Sequence, residues 1–554
     1  MNQHKDPLPE RLRPIESLIR EWLWIDRGRT IMLDVKRENL VEVARGLYKE
    51  IGAFFKTCAG VDERPLWGGY AVHHIFGIDE EGLDVVVYVR IPEKDYPWVP
   101  SIVREVPAAD WCELEFRDLL GIDPRGRLTQ RLVLPDDWPE EVKPLRKDVP
   151  YGYRPPRAEE TKPAEVGMYP SGVPVGPYHP ALHEPEYFEL YVEGEEVVDV
   201  RYRGFHVHRG IEKLAESPRF DYNKVTFLAE RICGICGFVH SCAYVMAVER
   251  AGKVEVPERA EYIRALLLEV ERLHSHLLWL GVAAHLLGYD AGFMHAWRVR
   301  EKTMILAEYL TGSRKTYGMN LVGGVRKDIT PEKVPKILKV LEEVAKGTKK
   351  VADMIVSVPQ VRKRLEGTGV LRKSDAAALS VVGPVARASG LNRDVRKDYP
   401  YLAYKDVSFK VPVYSEGDNL SRTLVRVEEI FESIEIIKQL LDRMPPGEVL
   451  NEEWDIEPGR YAVTSVEAPR GEDTHLLITG VGRPYRWRVR APTYANIPAL
   501  RPMLRGQELA DAPITIASID PCFSCTDRML VIDVRTGKRS VLVTRPQVKV
   551  VSLG

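Results

Sequence analysis

Four of the seven cysteines stand in two C-x-x-C pairs at distant points of the chain, Cys233 with Cys236 and Cys522 with Cys525. This spacing lets two sulfurs grip one soft metal ion, and two such pairs make a four-thiolate site suited to zinc, iron–sulfur or nickel. Cys522 lies 286 positions beyond Cys236. If both pairs serve one site, the chain must fold so that its middle and its far end meet. That separation argues against a local zinc ribbon, whose pairs are usually about 15–20 residues apart. Cysteines that merely fill a core are the other bland reading. The flanks favour metal, because Arg231-Ile-Cys233-Gly-Ile-Cys236-Gly-Phe-Val-His240 and Asp520-Pro-Cys522-Phe-Ser-Cys525-Thr-Asp-Arg528 set Gly or Pro beside the sulfurs.

The remaining cysteines are few, and the total is odd. Cys58 and Cys112 therefore read as structural thiols, Cys242 as a bystander, and the compartment as a reduced one. With 79 Lys+Arg against 81 Asp+Glu, the net charge of −2 gives no pull toward nucleic acid. The charged N-terminus lacks the apolar core of a secretory signal. The longest uncharged apolar stretch, Leu273–Tyr289, contains three histidines and is too short to span a bilayer, so it reads as a buried helix. His274, His276 and His285 share that stretch with no acid and read as core packing, not a metal site.

At roughly 100–200 residues per domain, 554 residues allow two to four domains. The pattern predicts an α+β protein: an N-terminal α/β domain, then a mainly α-helical bundle domain flanked by β segments. In the first domain, residues 1–150, Leu40, Val43, Leu47 and Ile51 recur at helical spacing, and Tyr70–Ile78 and Leu83–Ile91 form a hairpin about Asp79–Gly82. Residues 151–168 are the Pro-rich linker. A strand region at Tyr187–Tyr202, helices over 222–441 and β alternation over 460–490 make up the second domain, residues 169–528. Ile263, Leu266, Leu267, Val270, Leu273 and Leu277 mark one long helix that starts near Pro257.

The two cysteine signatures resemble those of the nickel–iron hydrogenase large subunit. The blocks Gly176-Pro-Tyr-His-Pro-Ala-Leu-His-Glu184 and Val207-His-Arg-Gly-Ile-Glu212-Lys-Leu-Ala-Glu216 resemble its membrane-associated, energy-converting branch, group 4. The stretches ending in Leu134-Pro-Asp-Asp-Trp138 and Pro144-Leu-Arg-Lys-Asp148 resemble the 30-kDa subunit of respiratory NADH:quinone oxidoreductase, and the later chain its 49-kDa subunit. Such a fusion is similar to the large subunit of formate hydrogenlyase. The resemblance covers about residues 30–530 and implies reversible H2 evolution and oxidation.

It further implies that all four cysteines bind nickel, with Cys236 and Cys525 bridging to an iron that carries CO and cyanide. His240 would hydrogen-bond a bridging sulfur, unless it is a plain core residue. Arg470 would aim its guanidinium at the cyanide side, unless it is an ordinary surface salt bridge. Asp520 would pair with that arginine or cap a turn. Glu184 would be the proton gate beside Cys522, unless it is a surface glutamate in a Pro-rich loop. Glu212 matches a distal Mg2+ or iron ligand, but Arg528 replaces the histidine that completes that site in many relatives.

No four-cysteine iron–sulfur motif is left once the nickel site is assigned. The resemblance therefore implies an iron–sulfur small subunit, a ferredoxin-like subunit, membrane ion-translocating subunits and a low-potential donor, which could be formate or CO through a dehydrogenase, or ferredoxin. It places the chain peripherally on the cytoplasmic side of the cell membrane. It also implies that a maturation endopeptidase removes residues 529–554, where the bland reading is a permanent terminal strand. A quinone- or sulfur-reductase subunit of the same superfamily is the alternative. Typical subunits of that kind lack some of the nickel thiolates. A non-catalytic assembly subunit stabilised by zinc is a third reading.

Overall fold

The computed structural model describes residues 6–135, 138–154, 172–175, 184, 186–205 and 208–523. Most of the linker, residues 176–183 and 185, Val207, Cys525, Arg528 and the tail 529–554 lie outside the described residues.

The N-terminal unit is a five-stranded sheet of β1 (Ile19–Asp26), β2 (Thr30–Val35), β3 (Phe54–Glu63), β4 (Gly69–Ile78) and β5 (Leu83–Ile91), in spatial order 1-2-5-4-3. The expected hairpin is β4–β5, in register from Tyr70 opposite Ile91 to Ile78 opposite Leu83. Only the β2–β5 pairing is parallel within this sheet. The expected helix is α1 (Leu40–Arg45), continued by a wider turn that buries Leu47.

β4 is buried at every position and β5 at all but Arg90. A strand that is apolar on both sides has both faces covered. One face packs on α1 and on α2 (Asp110–Leu120) through Leu40, Val43, Phe116 and Leu120. The other face presents Met32, Ala71, Ile75 and Val86 to Val463 and Leu476 of the far C-terminal sheet. The expectation of two structural thiols in this unit is corrected: Cys58 on β3 and Cys112 on α2 form a disulfide, with Cα atoms 5.7 Å apart. The packing of α2 against β3 brings together two buried cysteines 54 positions apart in sequence, a proximity that cysteine counting cannot show.

A small sheet of β6 (Gly172–Val175), β7 (Tyr187–Glu193) and β8 (Glu196–Arg203) follows, with β7 and β8 forming the strand region read from the sequence. The helical body comprises α3 (Tyr222–Glu230), α4 (Gly237–Gly252), α5 (Glu258–Leu286), α6 (Asp290–Thr311), α7 (Val334–Ser357) and α8 (Asn419–Arg443). α5 runs 29 residues with Pro257 at its N-cap and is buried along most of its length, as a helix apolar on several faces must be. No described helix is long and apolar enough to cross a membrane.

The expected β return is the antiparallel sheet β9 (Tyr461–Ala468), β10 (Gly471–Thr479) and β11 (Pro484–Arg490). β9 and β10 join at a tight turn carrying Arg470. Gly471 sits there at φ 125°, and a Cβ on it would come within 2.5 Å of the Gly383 nitrogen, so only glycine fits.

Because side chains alternate along a strand, β10 faces two ways. Glu472 points toward the N-terminal unit, where its carboxylate meets Lys56 Nζ at 3.1 Å, Arg393 at 3.1 Å and Arg490 at 2.8 Å. Lys56 also contacts Asp84 at 2.7 Å. Burial works against the Glu472 charge, but the three cations outweigh it and hold its pKa well below the carboxylate range. The two units are thus joined by buried charge as well as by apolar contact. Removing one member of such a pair strands its partners in a dry interior. We expect Lys56→Ala to lower stability by about 3–5 kcal/mol, seen as an earlier denaturant midpoint. Arg20→Ala, which removes a solvent-exposed partner of Asp34, should leave the midpoint nearly unchanged. Equal midpoints for both variants would show that the Lys56 network contributes nothing.

Candidate metal centre

The loop from Arg231 to Cys236 connects α3 to α4, and Cys236 is the N-cap of α4. Helix geometry therefore sets Cys236 at the start of a rigid element and His240 one turn later. The Cys233 sulfur accepts the backbone N–H groups of Ile235 at 3.2 Å and Cys236 at 3.0 Å, which turns the loop around it. The Tyr317 hydroxyl donates to the Cys233 carbonyl at 2.6 Å.

The far C-terminal pair arrives at the same place. α9 (Ala512–Ser518) ends just before Asp520, whose φ of 54° is left-handed, a region that Asp tolerates better than most residues. That bend delivers Cys522, whose backbone N–H donates to Thr493 Oγ1 at 3.1 Å. The Cys233 sulfur lies 3.2 Å from that of Cys522 and 3.0 Å from that of Cys236. These separations are too long for a covalent bond between either pair and short enough for common ligation. All three cysteines are buried. Three soft donors converging in a dry pocket fit nickel or another thiophilic metal. Cys525 lies outside the described residues.

Arg470 is not on the surface. It is buried, and its Nε donates to the Asp520 carbonyl at 2.7 Å, its Nη2 to Asp520 Oδ1 at 2.9 Å and its Nη1 to Ser275 Oγ at 3.0 Å. Burial opposes its charge, but Asp520 and then the cysteines outweigh that and push its pKa well above the ordinary value. Of the two readings of Asp520, pairing with Arg470 is the one observed. Behind the turn, Arg272 donates to the carbonyls of Glu467 at 2.6 Å and Ala468 at 3.1 Å, and Arg387 bridges Glu429 at 2.7 Å and Glu467 at 2.9 Å.

His240 is fully buried, and its Nδ1 lies 2.8 Å from Asp473 Oδ2. His475 Nε2 lies 3.1 Å from the same oxygen. Asp473 and His475 are two functional candidates that sequence reasoning missed. The available signal was their i, i+2 placement on a strand that begins right after Arg470. His276 packs in the core as expected, but its partner Glu429, 2.7 Å away, comes from α8 and not from nearby sequence. His274 is buried as well, and His285 is exposed beside Asp290. Burial pushes the Cys242 thiol up to about 12 and its sulfur faces Met246, consistent with a bystander.

Glu184 is half-buried, within a segment mostly outside the described residues. The surroundings of Glu212 argue against the distal cation: its carboxylate meets Arg486 at 2.8 Å, Arg488 at 3.4 Å and the Val489 backbone N–H at 3.0 Å. Two guanidiniums already neutralise it, and Mg2+ would need further oxygen ligands in their place.

The fold joins an N-terminal α/β unit to a helical body in which distant cysteines meet, the arrangement that the resemblance to nickel–iron hydrogenase large subunits implies. Comparison with known proteins agrees. Residues 33–155 match the respiratory-chain NADH dehydrogenase 30 Kd subunit, residues 209–290 the nickel-dependent hydrogenases, and residues 287–460 and 452–528 the 49 Kd subunit. The chain is 45% identical to formate hydrogenlyase subunit 5 of Escherichia coli (strain K12) over 92% of its own length and 91% of the relative's. It is also 45% identical to hydrogenase-4 component G of that organism, covering 91% of this chain and 89% of the relative. It is 38% identical to the membrane-bound hydrogenase subunit alpha of Pyrococcus furiosus, over 68% of this chain and 91% of that one. Among solved structures, a chain of the membrane-bound sulfane sulfur reductase, an archaeal respiratory membrane complex, superposes with a TM-score of 0.62 and 35% identity, covering 65% of this chain and 98% of that chain. The protein belongs to the large subunits of the membrane-bound nickel–iron hydrogenases, which makes it an oxidoreductase and implies a nickel–iron centre.

One buried acid holds the ligand loop in place. Glu271 of α5 accepts the backbone N–H groups of Phe238 and Val239, both at 3.0 Å, at the first turn of α4. Burial pushes its carboxyl up to about 8, and the amide donors and Thr316 offset this only in part. Both carboxyl oxygens accept, and a glutamine offers only one acceptor. We expect Glu271→Gln to leave one buried N–H unpaired and to cost about 1–3 kcal/mol, and Glu271→Ala, which orphans both, to cost more. Thermal unfolding of both variants checks the order. Glu271→Ala no more damaging than Glu271→Gln would mean that the second N–H does not depend on the carboxyl.

Proposed function

We propose that this chain catalyses the reversible reaction 2H+ + 2e− ⇌ H2 at a nickel–iron centre held by Cys233, Cys236, Cys522 and Cys525, with Cys236 and Cys525 shared by the iron. The observation that carries the reading is the convergence of three buried cysteine sulfurs, from positions nearly three hundred residues apart, beside a buried arginine. When bound, the centre supplies two-electron activation of H2, with CO and cyanide on the iron. The chain's own groups do the rest. Arg470, locked by Asp520 and Ser275, presents a fixed positive charge toward anionic ligands. His240 stands one helical turn from Cys236. Glu184 carries protons between the site and solvent. The apolar wall around the cysteines excludes water.

Electrons need an outside carrier. With Cys58 bonded to Cys112, no cysteine set is left for an iron–sulfur cluster. We assign that task to an iron–sulfur small subunit and a ferredoxin-like subunit, docked on membrane subunits that translocate ions, with the chain on the cytoplasmic face. Formate, CO or ferredoxin is the ultimate donor, through the matching dehydrogenase where one is needed. In this reading an endopeptidase removes residues 529–554 after metal insertion.

A sulfur-reductase role is the second reading, favoured by the likeness to the sulfane sulfur reductase chain. Nickel content separates the two. We expect about one nickel per matured chain, and infrared bands of CO and cyanide. Cys236→Ser should abolish H2 turnover in both directions, because a hard oxygen bridges soft metals poorly. Cys242→Ser should leave it largely intact. Zinc without nickel, or an active Cys236→Ser enzyme, would overturn the assignment.

Glu184→Gln removes an exchangeable proton and keeps the shape. It should slow H2 evolution and H/D exchange by about 10²–10⁴-fold with normal metal content. Wild-type exchange rates in a fully loaded variant would take Glu184 off the proton path.

A further inference from the structure

The residues around His240 form a hydrogen-bond chain whose direction can be read from donor chemistry. An indole N–H can only donate, and Trp487 Nε1 lies 3.3 Å from His475 Nδ1. The His475 proton must then sit on Nε2, which faces Asp473 Oδ2 at 3.1 Å. An ionised carboxylate can only accept, and the same oxygen lies 2.8 Å from His240 Nδ1. His240 therefore carries a proton on Nδ1, and the edge left over is Nε2. The ring is fully buried and belongs to a side chain one helical turn beyond Cys236.

Three nitrogen and oxygen ligand atoms within 4.8 Å of one another could also gather a cation. The contacts argue otherwise. His475 Nδ1 is taken by the indole, and both imidazoles approach one carboxylate oxygen at hydrogen-bond length. Nor is the chain a route to solvent, since Asp473, His475, His240 and Trp487 are all buried. A buried, directional chain whose last member stands one helical turn from Cys236 orients that member. It does not move protons out.

We infer that Asp473 is a positioning residue of the hydrogenase site: its carboxylate holds the His240 ring through Nδ1 and so fixes the orientation of a side chain one helical turn beyond Cys236, with Trp487 and His475 holding Asp473 in place. The inference rests on the proposed nickel–iron centre. Partners of this kind, which fix the ring of a histidine beside a metal, typically matter by 10–100-fold in affinity or activity, on the order of the effect expected here. Asp473→Asn is the direct test. An amide offers one donor and one acceptor, so it no longer compels Nδ1–H on His240.

The matured complex should be compared as wild type, Asp473→Asn, His240→Gln and the double variant. Metal content, infrared bands of the iron ligands and H2 turnover are the readouts. The expected result for Asp473→Asn is near-normal nickel and iron, bands displaced in the same direction as in His240→Gln, and turnover down by about 10–100-fold. The double variant should be no worse than His240→Gln alone, because the two act as one unit. If Asp473→Asn fails to load metal, Trp487→Phe decides, since it removes only the donor at the far end of the chain. It should load normally and displace the same bands by a smaller amount. Unmoved bands in a loaded Asp473→Asn or Trp487→Phe enzyme, or additive losses in the double variant, would reduce Asp473 to a packing role. Wild-type enzyme without the bands would instead sink the proposed centre itself.

Discussion

The pairing of Arg470 with Asp520 is what the catalytic half of the molecule is built around. Arg470 stands on the β9–β10 turn, and Asp520 two positions before Cys522. Two hydrogen bonds from one guanidinium, to the Asp520 side chain and to its backbone carbonyl, fasten the end of the described chain to the sheet. Planar two-point recognition of this kind is what a guanidinium provides and an ammonium does not. Cys522 is thereby brought within 3.2 Å of Cys233. The third bond, to Ser275, ties the same arginine to the long helix α5, whose Glu271 caps the helix that begins at Cys236. One side chain thus links both halves of the ligand set through three different elements.

β10 carries the second organising constraint. Its alternation sends Glu472 into a cationic cluster with the N-terminal unit and sends Asp473, the very next residue, toward His240. A one-residue slip of this strand would exchange the two faces and put each carboxylate in the wrong environment. The pairing with β9, from Tyr461 opposite Ile478 to Ala468 opposite Gly471, and the glycine-only turn at its end hold the register. The respiratory-type unit at the N-terminus therefore does more than lie alongside the hydrogenase body. Its Lys56 helps to hold the strand on which the site's hydrogen-bond chain is mounted.

The amount of buried charge here is unusual for a soluble interior, in which lone ions are excluded by desolvation. Arg272, Arg387 and Arg470 are all fully or almost fully buried, and each finds carbonyl or carboxylate oxygens. Such groups add less net stability than apolar packing of the same volume. Here they fix where the β9–β10 turn lies relative to α5, and a thiolate cluster needs its surroundings placed to within a fraction of an ångström.

The sequence by itself determined the local elements and pointed to the candidate ligands of the site. The apolar runs of β4 and β5, the long helix after Pro257 and the strands of 460–490 follow from periodicity that each segment carries within itself. The C-x-x-C pairs and Arg470 were legible because their flanking residues are distinctive. Only the tertiary structure decided which distant groups meet. The Cys58–Cys112 bond, the two arginines that occupy the surroundings of Glu212, the capping of α4 by Glu271, and the Trp487–His475–Asp473–His240 chain all join residues from different elements. Their partnerships rest on packing and on the exclusion of water, which make a buried donor seek its acceptor wherever the fold has brought one. Those forces act between elements once they have docked, so no stretch of sequence read alone contains them.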